Sequence, residues 1–167
     1  MAKRNHAPPA LQFLPMAIDL RGRDCVVIGG GAVGTRKAGT LARAGARVTV
    51  IAPTVTDELG ALITAGVVRW IEGPFHESQV HGAMLVVAAT NYQALNHTIV
   101  EQARRAGALA CDASSSAGSQ VIFGALLEHD GATIAVFTNG RDPSRARRTR
   151  DRIAALVAQE EEPEPHA

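Results

Sequence analysis

A glycine-rich turn between an apolar run and a helical pattern constrains the fold of this chain more than any other feature. Residues 24–30 read DCVVIGG, which is typical of a strand buried in a parallel sheet. The run continues into a G-x-G-x-x-G motif formed by Gly29, Gly31 and Gly34, and apolar residues then recur at helical spacing over 32–44. A strand, a glycine-rich turn and a helix in this order are typical of the first unit of a Rossmann-like sheet.

The residues up to 113 alternate between the same two patterns. Strand-like apolar runs occur at 47–52, 67–72, 84–89 and 108–113, with helical patterns at 57–65 and 93–106. Strands that alternate with helices pair in parallel, because each helix carries the chain back across the sheet. The sequence therefore predicts an α/β fold, with a doubly wound parallel sheet and helices on both of its faces.

After residue 113 the pattern changes. A polar loop over 114–120 leads to two strand-like runs, 121–127 and 132–138, which flank a turn containing Asp-Gly. A final helix is predicted to begin at Pro143, with Asp142 as its N-cap, and to continue to about residue 159.

These patterns divide the chain into two domains. We predict a dinucleotide-binding Rossmann-like domain over 14–113, a small α+β domain over 114–159, and flexible segments over 1–13 and 160–167. The second domain is too short to bury much apolar surface alone. We therefore expect it to be a dimerisation domain that pairs with a second copy of the chain.

Composition argues against several classes of protein. The chain has 17 Lys and Arg residues against 16 Asp and Glu residues, so its overall charge does not favour nucleic acid or a membrane as a partner. Aromatic residues make up only 4% of the chain, which is few for a base-stacking surface. No apolar run approaches the roughly 18 residues of a membrane span and no secretory signal is recognised, which predicts a cytoplasmic protein.

Cysteine and histidine usage predicts neither a disulfide nor a structural metal site. Cys25 and Cys111 are too few for a disulfide framework or a zinc cluster. The six histidines show no spacing typical of metal ligands. Both thiols are expected to be free, as in proteins of a reducing compartment.

The glycine motif predicts where a dinucleotide binds. Gly29 permits the tight turn, Gly31 lets the backbone approach a pyrophosphate, and Gly34 allows close packing of the helix on the strand. The free N–H groups of the first helical turn, which includes Ala32 and Val33, attract the phosphates. A glycine-rich turn in a sheet that binds no nucleotide is the alternative interpretation.

The predicted ribose site is less typical. A carboxylate that binds the adenosine ribose is expected about 20 residues after the motif, but residues 49–54 read TVIAPT. The backbone around Pro53 and Thr54 would then hold the ribose, and NAD is favoured over NADP because no cation is available for a 2′-phosphate. Thr90 and Asn91 follow the fourth strand, where they either face the cofactor or cap the next helix.

Two further groups of side chains could act on a substrate. Asp112 and Ser114 follow the fifth strand, where a carboxylate either serves as a general base beside a nicotinamide ring or only hydrogen-bonds its own loop. Arg145, Arg148 and Arg152 recur at helical spacing on the last helix. Their face is either a solvated surface or a docking site for a polyanionic ligand, and nucleic acid fits poorly because no aromatic residues are interleaved.

Eight short motifs between Leu14 and about Val157 resemble one family. They are LPMAIDL at 14–20, GRDCVVIGGG at 22–31, RKA at 36–38, AGARVTV at 44–50, GPF at 73–75, AATN at 88–91, VIFGA at 121–125 and DPSRAR at 142–147. Together they resemble the precorrin-2 dehydrogenase/sirohydrochlorin ferrochelatase family, the N-terminal module of siroheme synthases. The chain ends where the methyltransferase of bifunctional members would begin, so it resembles the stand-alone form.

The resemblance implies a function and a set of partners. Family members use NAD to oxidise precorrin-2 to sirohydrochlorin in siroheme biosynthesis, and some also insert ferrous iron. They are homodimers whose small second domain forms the interface, with the tetrapyrrole bound in a cleft. Because this substrate carries several carboxylates, it would give Arg145 and Arg148 a role in substrate binding. The resemblance implies no resident metal.

The chain departs from the family's pattern at the catalytic aspartate. That residue lies in a segment like N-V-V-D, and an ungapped alignment on Val121–Gly124 puts Ser114 at its position, with Asp112 two residues upstream. A shift of two residues along a strand keeps the side-chain face but moves the group by about 7 Å. Asp112 is the first candidate for the catalytic base and Ser114 is the second. Asn139 and Gly124 stand where the family pattern has Gly and Pro.

Two other functions share some of these features. A non-enzymatic module that senses nicotinamide dinucleotides would need the glycine motif and the parallel sheet, but not an arginine-rich helix. A nucleic-acid-binding protein would use that helix, and its affinity would depend steeply on salt concentration. The combination of the glycine motif with the arginine-rich helix favours the dehydrogenase.

Overall fold

The computed structural model describes residues 11–159, which form two compact units. One unit comprises residues 17–122, and the other comprises residues 123–159 together with 11–16. The predicted flexible segments at 1–13 and 160–167 lie outside the described residues, apart from 11–13, which form neither helix nor strand. The predicted role of the smaller unit in dimerisation stays a prediction.

The larger unit is a parallel sheet flanked by helices, as the alternating pattern predicts. Its elements are β1 (Asp24–Ile28), α1 (Ala32–Arg43), β2 (Arg47–Ala52), α2 (Asp57–Thr64), β3 (Val68–Glu72), a short 3-10 helix (Glu77–Val80), β4 (Leu85–Ala88), α3 (Gln93–Arg105) and β5 (Leu109–Asp112). The strand order is β3-β2-β1-β4-β5, and every neighbouring pair is parallel. The winding reverses between β1 and β4, and sheets of this kind bind ligands at that point, outside the carboxyl ends of the strands.

Both faces of the sheet are buried, which explains why its strands read as continuous apolar runs. On one face, apolar side chains of β1, β4 and β5 form a cluster with Ile99, Val100 and Ala103 of α3. Val27 and Val87 alternate with members of that cluster, so they lie on the opposite face, and both are fully buried. Packing on both faces therefore fixes the edge of the sheet at which the strands' carboxyl ends lie.

The smaller unit contains a hairpin and one long helix. Strands β6 (Ala125–His129) and β7 (Ala132–Val136) are antiparallel, and α4 (Pro143–Gln159) packs against both. The Asp142 carboxylate accepts a hydrogen bond from the Arg145 amide at 2.8 Å, which confirms the predicted N-cap. No helix within residues 11–159 combines the length and the apolar character that crossing a membrane requires.

The first strand of the hairpin lies later in the sequence than predicted. A strand was expected over 121–127, but β6 begins at Ala125 and continues to His129. The turn consists of Asp130 and Gly131 alone, both with positive φ, as a two-residue hairpin turn requires. A two-residue turn places His129 opposite Ala132, so the pairing of the two strands extends to His129. At the other end, the Val121 amide donates to the Ala110 carbonyl, which binds the chain before β6 to the parallel sheet.

Lys37 of α1 is a half-buried cation within the larger unit. Burial lowers the pKa of its ammonium group to about 8, although the neighbouring Cys111 thiol opposes this effect. Burial also raises the pKa of the Cys111 thiol to about 11. Both cysteines are free, as predicted, and both are buried. Keeping a charged lysine in this position therefore costs folding free energy at neutral pH.

Replacing Lys37 by Met should stabilise the protein at pH 7 and much less at pH 10.5. Below pH 8 the lysine is protonated in both the folded and the unfolded chain, so the full cost of burying its charge is present. Between about pH 8 and 10.5 Lys37 is more protonated in the unfolded chain than in the folded one, so its contribution to the free energy of unfolding, measured as the difference between the wild type and the Met variant, rises with pH. The rise is up to about 3 kcal/mol. Urea unfolding of both proteins at both pH values measures it, and an advantage of Met that is independent of pH would contradict the expectation.

Candidate functional site

The glycine turn after β1 is packed so closely that two of the three glycines of the G-x-G-x-x-G motif are required by the fold. Gly29 has a φ of +119°, and a Cβ atom on it would collide with the Ala89 carbonyl group that follows β4. A Cβ atom on Gly34 would collide with the carbonyl group of Gly29. These contacts hold α1 directly against the ends of β1 and β4. The roles predicted for Gly29 and Gly34 stay predictions, but the packing on which they depend is present.

Gly31 differs, because no residue within 11–159 restricts a side chain at this position. Its φ is −78°, and a Cβ atom there would have no heavy atom within 4 Å. Gly31 is the N-cap of α1, no side chain caps the helix, and its first turn contains no acidic residue. The amide groups of Ala32, Val33 and Gly34 have no acceptor within the helix. An anion could therefore approach this helix end without displacing a side chain, and a dinucleotide pyrophosphate fits the residues present.

The start of α2, in the same unit, is capped by a side chain and carries acidic residues. The Thr56 side chain accepts a hydrogen bond from the Leu59 amide at 3.2 Å, and Asp57 and Glu58 lie in the first turn. Capping and two carboxylates make this end unsuitable for an anion. The start of α1 thus differs from that of α2, because it has neither a side-chain cap nor an acidic residue in its first turn.

The loop after β2 lies against the glycine turn through backbone contacts. The Thr56 amide donates to the Gly30 carbonyl at 3.1 Å, and a Cβ atom on Gly30 would collide with the Thr54 carbonyl. The Thr35 hydroxyl, from α1, donates to the Gly31 carbonyl at 3.0 Å and lies 2.8 Å from the Thr56 hydroxyl. The structure therefore brings the predicted ribose loop, where Pro53 and Thr54 are exposed, to the predicted pyrophosphate site.

Thr90 and Asn91 follow β4, and Thr90 is held by a side chain that the sequence analysis did not single out. The Thr90 amide and hydroxyl both donate to Asn96 Oδ1, at 3.0 and 2.7 Å. The Thr90 hydroxyl also accepts a hydrogen bond from the Tyr92 amide at 3.2 Å. Thr90 therefore stabilises the start of α3, one of the two predicted alternatives, while Asn91 is exposed. Contact of either residue with a cofactor stays a prediction.

Asp112 and Ser114 are bonded to each other at the end of β5. The carboxylate atom Asp112 Oδ1 accepts from the Ser114 hydroxyl at 2.6 Å and from the Ser114 amide at 2.8 Å. Asp112 is 9% exposed, whereas Ser114 is exposed. The Asp112 amide donates to the Ser119 hydroxyl at 2.9 Å, which fixes the strand end to the following loop. The two candidates for the catalytic base thus form one pair, with the hydroxyl on the solvent side and the carboxylate behind it.

The arginines of α4 lie on the smaller unit, and all of them except the half-buried Arg150 are exposed. Between 141 and 152 the sequence carries six arginines and two aspartates. Arg148 is 4.0 Å from Asp142, an exposed ion pair that contributes little to stability. Arg150 is held more firmly, because it donates to the Leu126 carbonyl at 3.0 Å. Arg145 and Arg148 are therefore available to a ligand.

The described part of the chain contains no group of three or more His, Cys, Asp or Glu side chains that could hold a metal ion. Asn96 is the functional candidate that sequence reasoning missed. It is fully buried in the stripe of α3 that also contains Ile99, Val100 and Ala103. A polar residue on the apolar face of an amphipathic helix was the available signal.

Comparison with known proteins gives one matching family model and several similar sequences. A family model described as "Putative NAD(P)-binding" matches residues 16–125. The siroheme synthase of Photorhabdus laumondii is 33% identical over 147 residues, which cover 88% of this chain and 31% of that protein. A siroheme synthase of Escherichia coli O139:H28 is 36% identical over 149 residues, covering 88% of this chain and 32% of that protein. The chain thus spans about a third of the length of these curated relatives.

A solved structure is also similar over most of the chain. The structure of SirC, a precorrin-2 dehydrogenase, superposes with a TM-score of 0.75 at 27% sequence identity. The match covers 86% of this chain and 71% of that chain. The fold and the family resemblance inferred from the sequence motifs are both confirmed.

Proposed function

The chain belongs to the NAD(P)-binding family that its residues 16–125 match, and we propose that it is an NAD-dependent dehydrogenase that oxidises precorrin-2 to sirohydrochlorin in siroheme biosynthesis. The likeness to SirC, a precorrin-2 dehydrogenase, over 86% of the chain carries this proposal. The uncapped end of α1 supports the cofactor, and the Asp112–Ser114 pair supports the chemistry. The curated siroheme synthases that match the chain support the same pathway.

NAD bound at the carboxyl edge of the sheet supplies the acceptor for a hydride from the substrate. The backbone at Gly29, Gly31 and Ala32–Gly34 would hold its pyrophosphate, because the free amide groups and the positive end of the helix dipole favour phosphate. Pro53 and Thr54 would contact the adenosine ribose. Thr90 and Asn91 would contact the cofactor through the turn after β4.

The Asp112–Ser114 pair would accept the proton that the substrate loses. The exposed Ser114 oxygen takes the proton from the substrate while the Ser114 hydroxyl gives its own proton to Asp112 Oδ1, along the existing 2.6 Å hydrogen bond. The serine is then neutral again, and the carboxylate has become a carboxylic acid. This relay uses both candidate residues, with Asp112 as the base and Ser114 as the group nearest the substrate.

Arg145 and Arg148 would bind the carboxylates of the tetrapyrrole. Guanidinium groups form paired hydrogen bonds with carboxylates, and both arginines are exposed on one face of α4. The protein is also proposed to form a homodimer through the smaller unit and to be cytoplasmic. Insertion of ferrous iron as a second substrate is proposed only as an additional activity, with the Asp112–Ser114 pair receiving the pyrrole protons.

Replacing Arg145 and Arg148 together by Ala should raise KM for precorrin-2 about tenfold and leave kcat and the Kd of NAD nearly unchanged. The reason is that exposed guanidinium groups contribute to binding of the ground state and the transition state alike. The matched control is Arg105→Ala, because Arg105 is an exposed arginine of α3 in a weak ion pair with Glu101. Steady-state kinetics give both constants. An unchanged KM in the double variant would remove these arginines from substrate binding.

The proposed function is tested by adding NAD and precorrin-2 to the purified wild-type chain without oxygen and following NADH formation. Turnover that depends on both compounds is expected. A protein that binds NAD but neither oxidises precorrin-2 nor perturbs the visible absorption of sirohydrochlorin would instead be a sensor of nicotinamide dinucleotides. Addition of ferrous iron after the oxidation tests the additional activity separately.

A further inference from the structure

Asn96 is a fully buried amide whose hydrogen bonds connect the ends of two strands. Its Oδ1 atom accepts from the amide and the hydroxyl of Thr90, which follows β4. Its Nδ2 atom donates to the Thr90 carbonyl at 3.1 Å and to the Ser114 hydroxyl oxygen at 3.3 Å, beyond β5. All four hydrogen-bonding positions of the amide are used. A buried amide satisfied in this way is held rigidly, because each lost bond would leave a polar group unpaired.

The orientation of the Asn96 amide follows from its backbone partners. The Thr90 amide can only donate and the Thr90 carbonyl can only accept, so the Asn96 oxygen must face the first and its nitrogen the second. The group that faces the Ser114 oxygen is therefore an N–H donor. Turning the amide around would place the Asn96 nitrogen, a donor, against the Thr90 amide, which is also a donor. It would likewise place the Asn96 oxygen against the Thr90 carbonyl oxygen, so that two acceptors would face each other.

This donor decides where the single hydrogen of the Ser114 hydroxyl points. Because the Ser114 oxygen accepts from Asn96, its own hydrogen is left for the Asp112 carboxylate, at 2.6 Å. The second lone pair of the oxygen remains on the exposed side of Ser114. We infer that Asn96 is a positioning residue that fixes the Ser114 hydroxyl in the direction needed to pass a proton to Asp112. This inference rests on the proposed function of the Asp112–Ser114 pair.

Replacing Asn96 by Asp reverses the polarity at the atom that faces Ser114. The Oδ1 acceptor for Thr90 is kept, but an oxygen now lies beside the Ser114 hydroxyl and competes with Asp112 for its hydrogen. We expect kcat for precorrin-2 oxidation to fall about tenfold or more, with the Kd of NAD changed less than about threefold. Asn96→Ala, which removes the donor without adding an acceptor, should lower kcat less. Thr98→Ala is the matched control, because the Thr98 hydroxyl donates only to the Ala94 carbonyl on the exposed side of α3.

A double-mutant cycle separates positioning from structural support. If Asn96 acts through Ser114, neither Asn96 variant should lower kcat further when Ser114 is already Ala. If Asn96 only supports the fold, its substitution should lower kcat by the same factor in both backgrounds, and this result would overturn the inference. The Ala variant provides the cycle if the Asp variant does not fold. A wild type that does not oxidise precorrin-2 would refute the proposed function together with this inference, whereas an active wild type with an additive cycle would refute the role of Asn96 alone.

Discussion

Replacing Asp112 by Asn should lower kcat for precorrin-2 oxidation by about 10²- to 10⁴-fold, the range typical of a lost general base. The amide oxygen of Asn can still accept hydrogen bonds from the Ser114 amide and hydroxyl, so the loop geometry should survive. Asn could not take up the proton that Ser114 is proposed to pass on. The measurement is steady-state NADH formation from NAD and precorrin-2, with thermal unfolding to verify the fold.

The matched control for this change is Glu101→Gln. Glu101 is an exposed carboxylate on α3 whose contact with Arg105 is 3.8 Å long, so the same chemical change there should leave kcat unaffected. Ser114→Ala should also lower kcat, but by less than Asp112→Asn, because water can substitute for a lost exposed hydroxyl more readily than for a carboxylate. Full activity of Asp112→Asn would show that the carboxylate only hydrogen-bonds its loop.

Replacing Gly31 by Ala should weaken NAD binding at least about tenfold while changing the free energy of unfolding by no more than about 1 kcal/mol. Apart from its neighbours in the chain, the added methyl group meets no atom of residues 11–159 within 4 Å, so the fold tolerates it. It would occupy space that a pyrophosphate needs in order to reach the amide groups of α1. Isothermal titration of NAD gives the affinity, and urea unfolding gives the stability.

Two other glycines of α1 provide controls with opposite expectations. Gly39→Ala puts its methyl group at ordinary contact distance, 3.9 Å, from Leu62, so NAD binding should be unchanged and stability should rise by about 0.5–1 kcal/mol. Gly34→Ala collides with the Gly29 carbonyl and should destabilise the fold strongly. If Gly31→Ala binds NAD as tightly as the wild type, the pyrophosphate does not approach the backbone at Gly31.

Much of the larger unit could be predicted from the sequence because its strands are buried on both faces. Continuous apolar runs mark such strands, and the bounds of β2, Arg47–Ala52, agree with the predicted run. The hairpin was harder to predict, because residues 121–124 are as apolar as a strand. The hydrogen bond from the Val121 amide to the Ala110 carbonyl, between distant parts of the sequence, decides that the hairpin starts later.

Contacts between distant parts of the sequence also limit what could be predicted about the candidate site. The glycine motif predicts the turn after β1 and the start of α1, although the turn also packs against Thr54 and Ala89, which are distant in sequence. The bond between Asp112 and Ser114 spans only two residues, and the sequence identified both but treated them as alternatives. Asn96 contacts Ser114 across 18 positions, so its role depends on how α3 packs beside β5, and its place on the apolar face of α3 marks it only as a buried polar residue.

The most direct test of the account is isothermal titration of NAD into the purified wild-type chain. The glycine turn and the uncapped start of α1 are proposed to hold the diphosphate of a pyridine dinucleotide. Saturable heat at one NAD per chain is the expected result, with clearly weaker binding to the Gly31→Ala variant. The absence of saturable heat with both NAD and NADP would contradict the account.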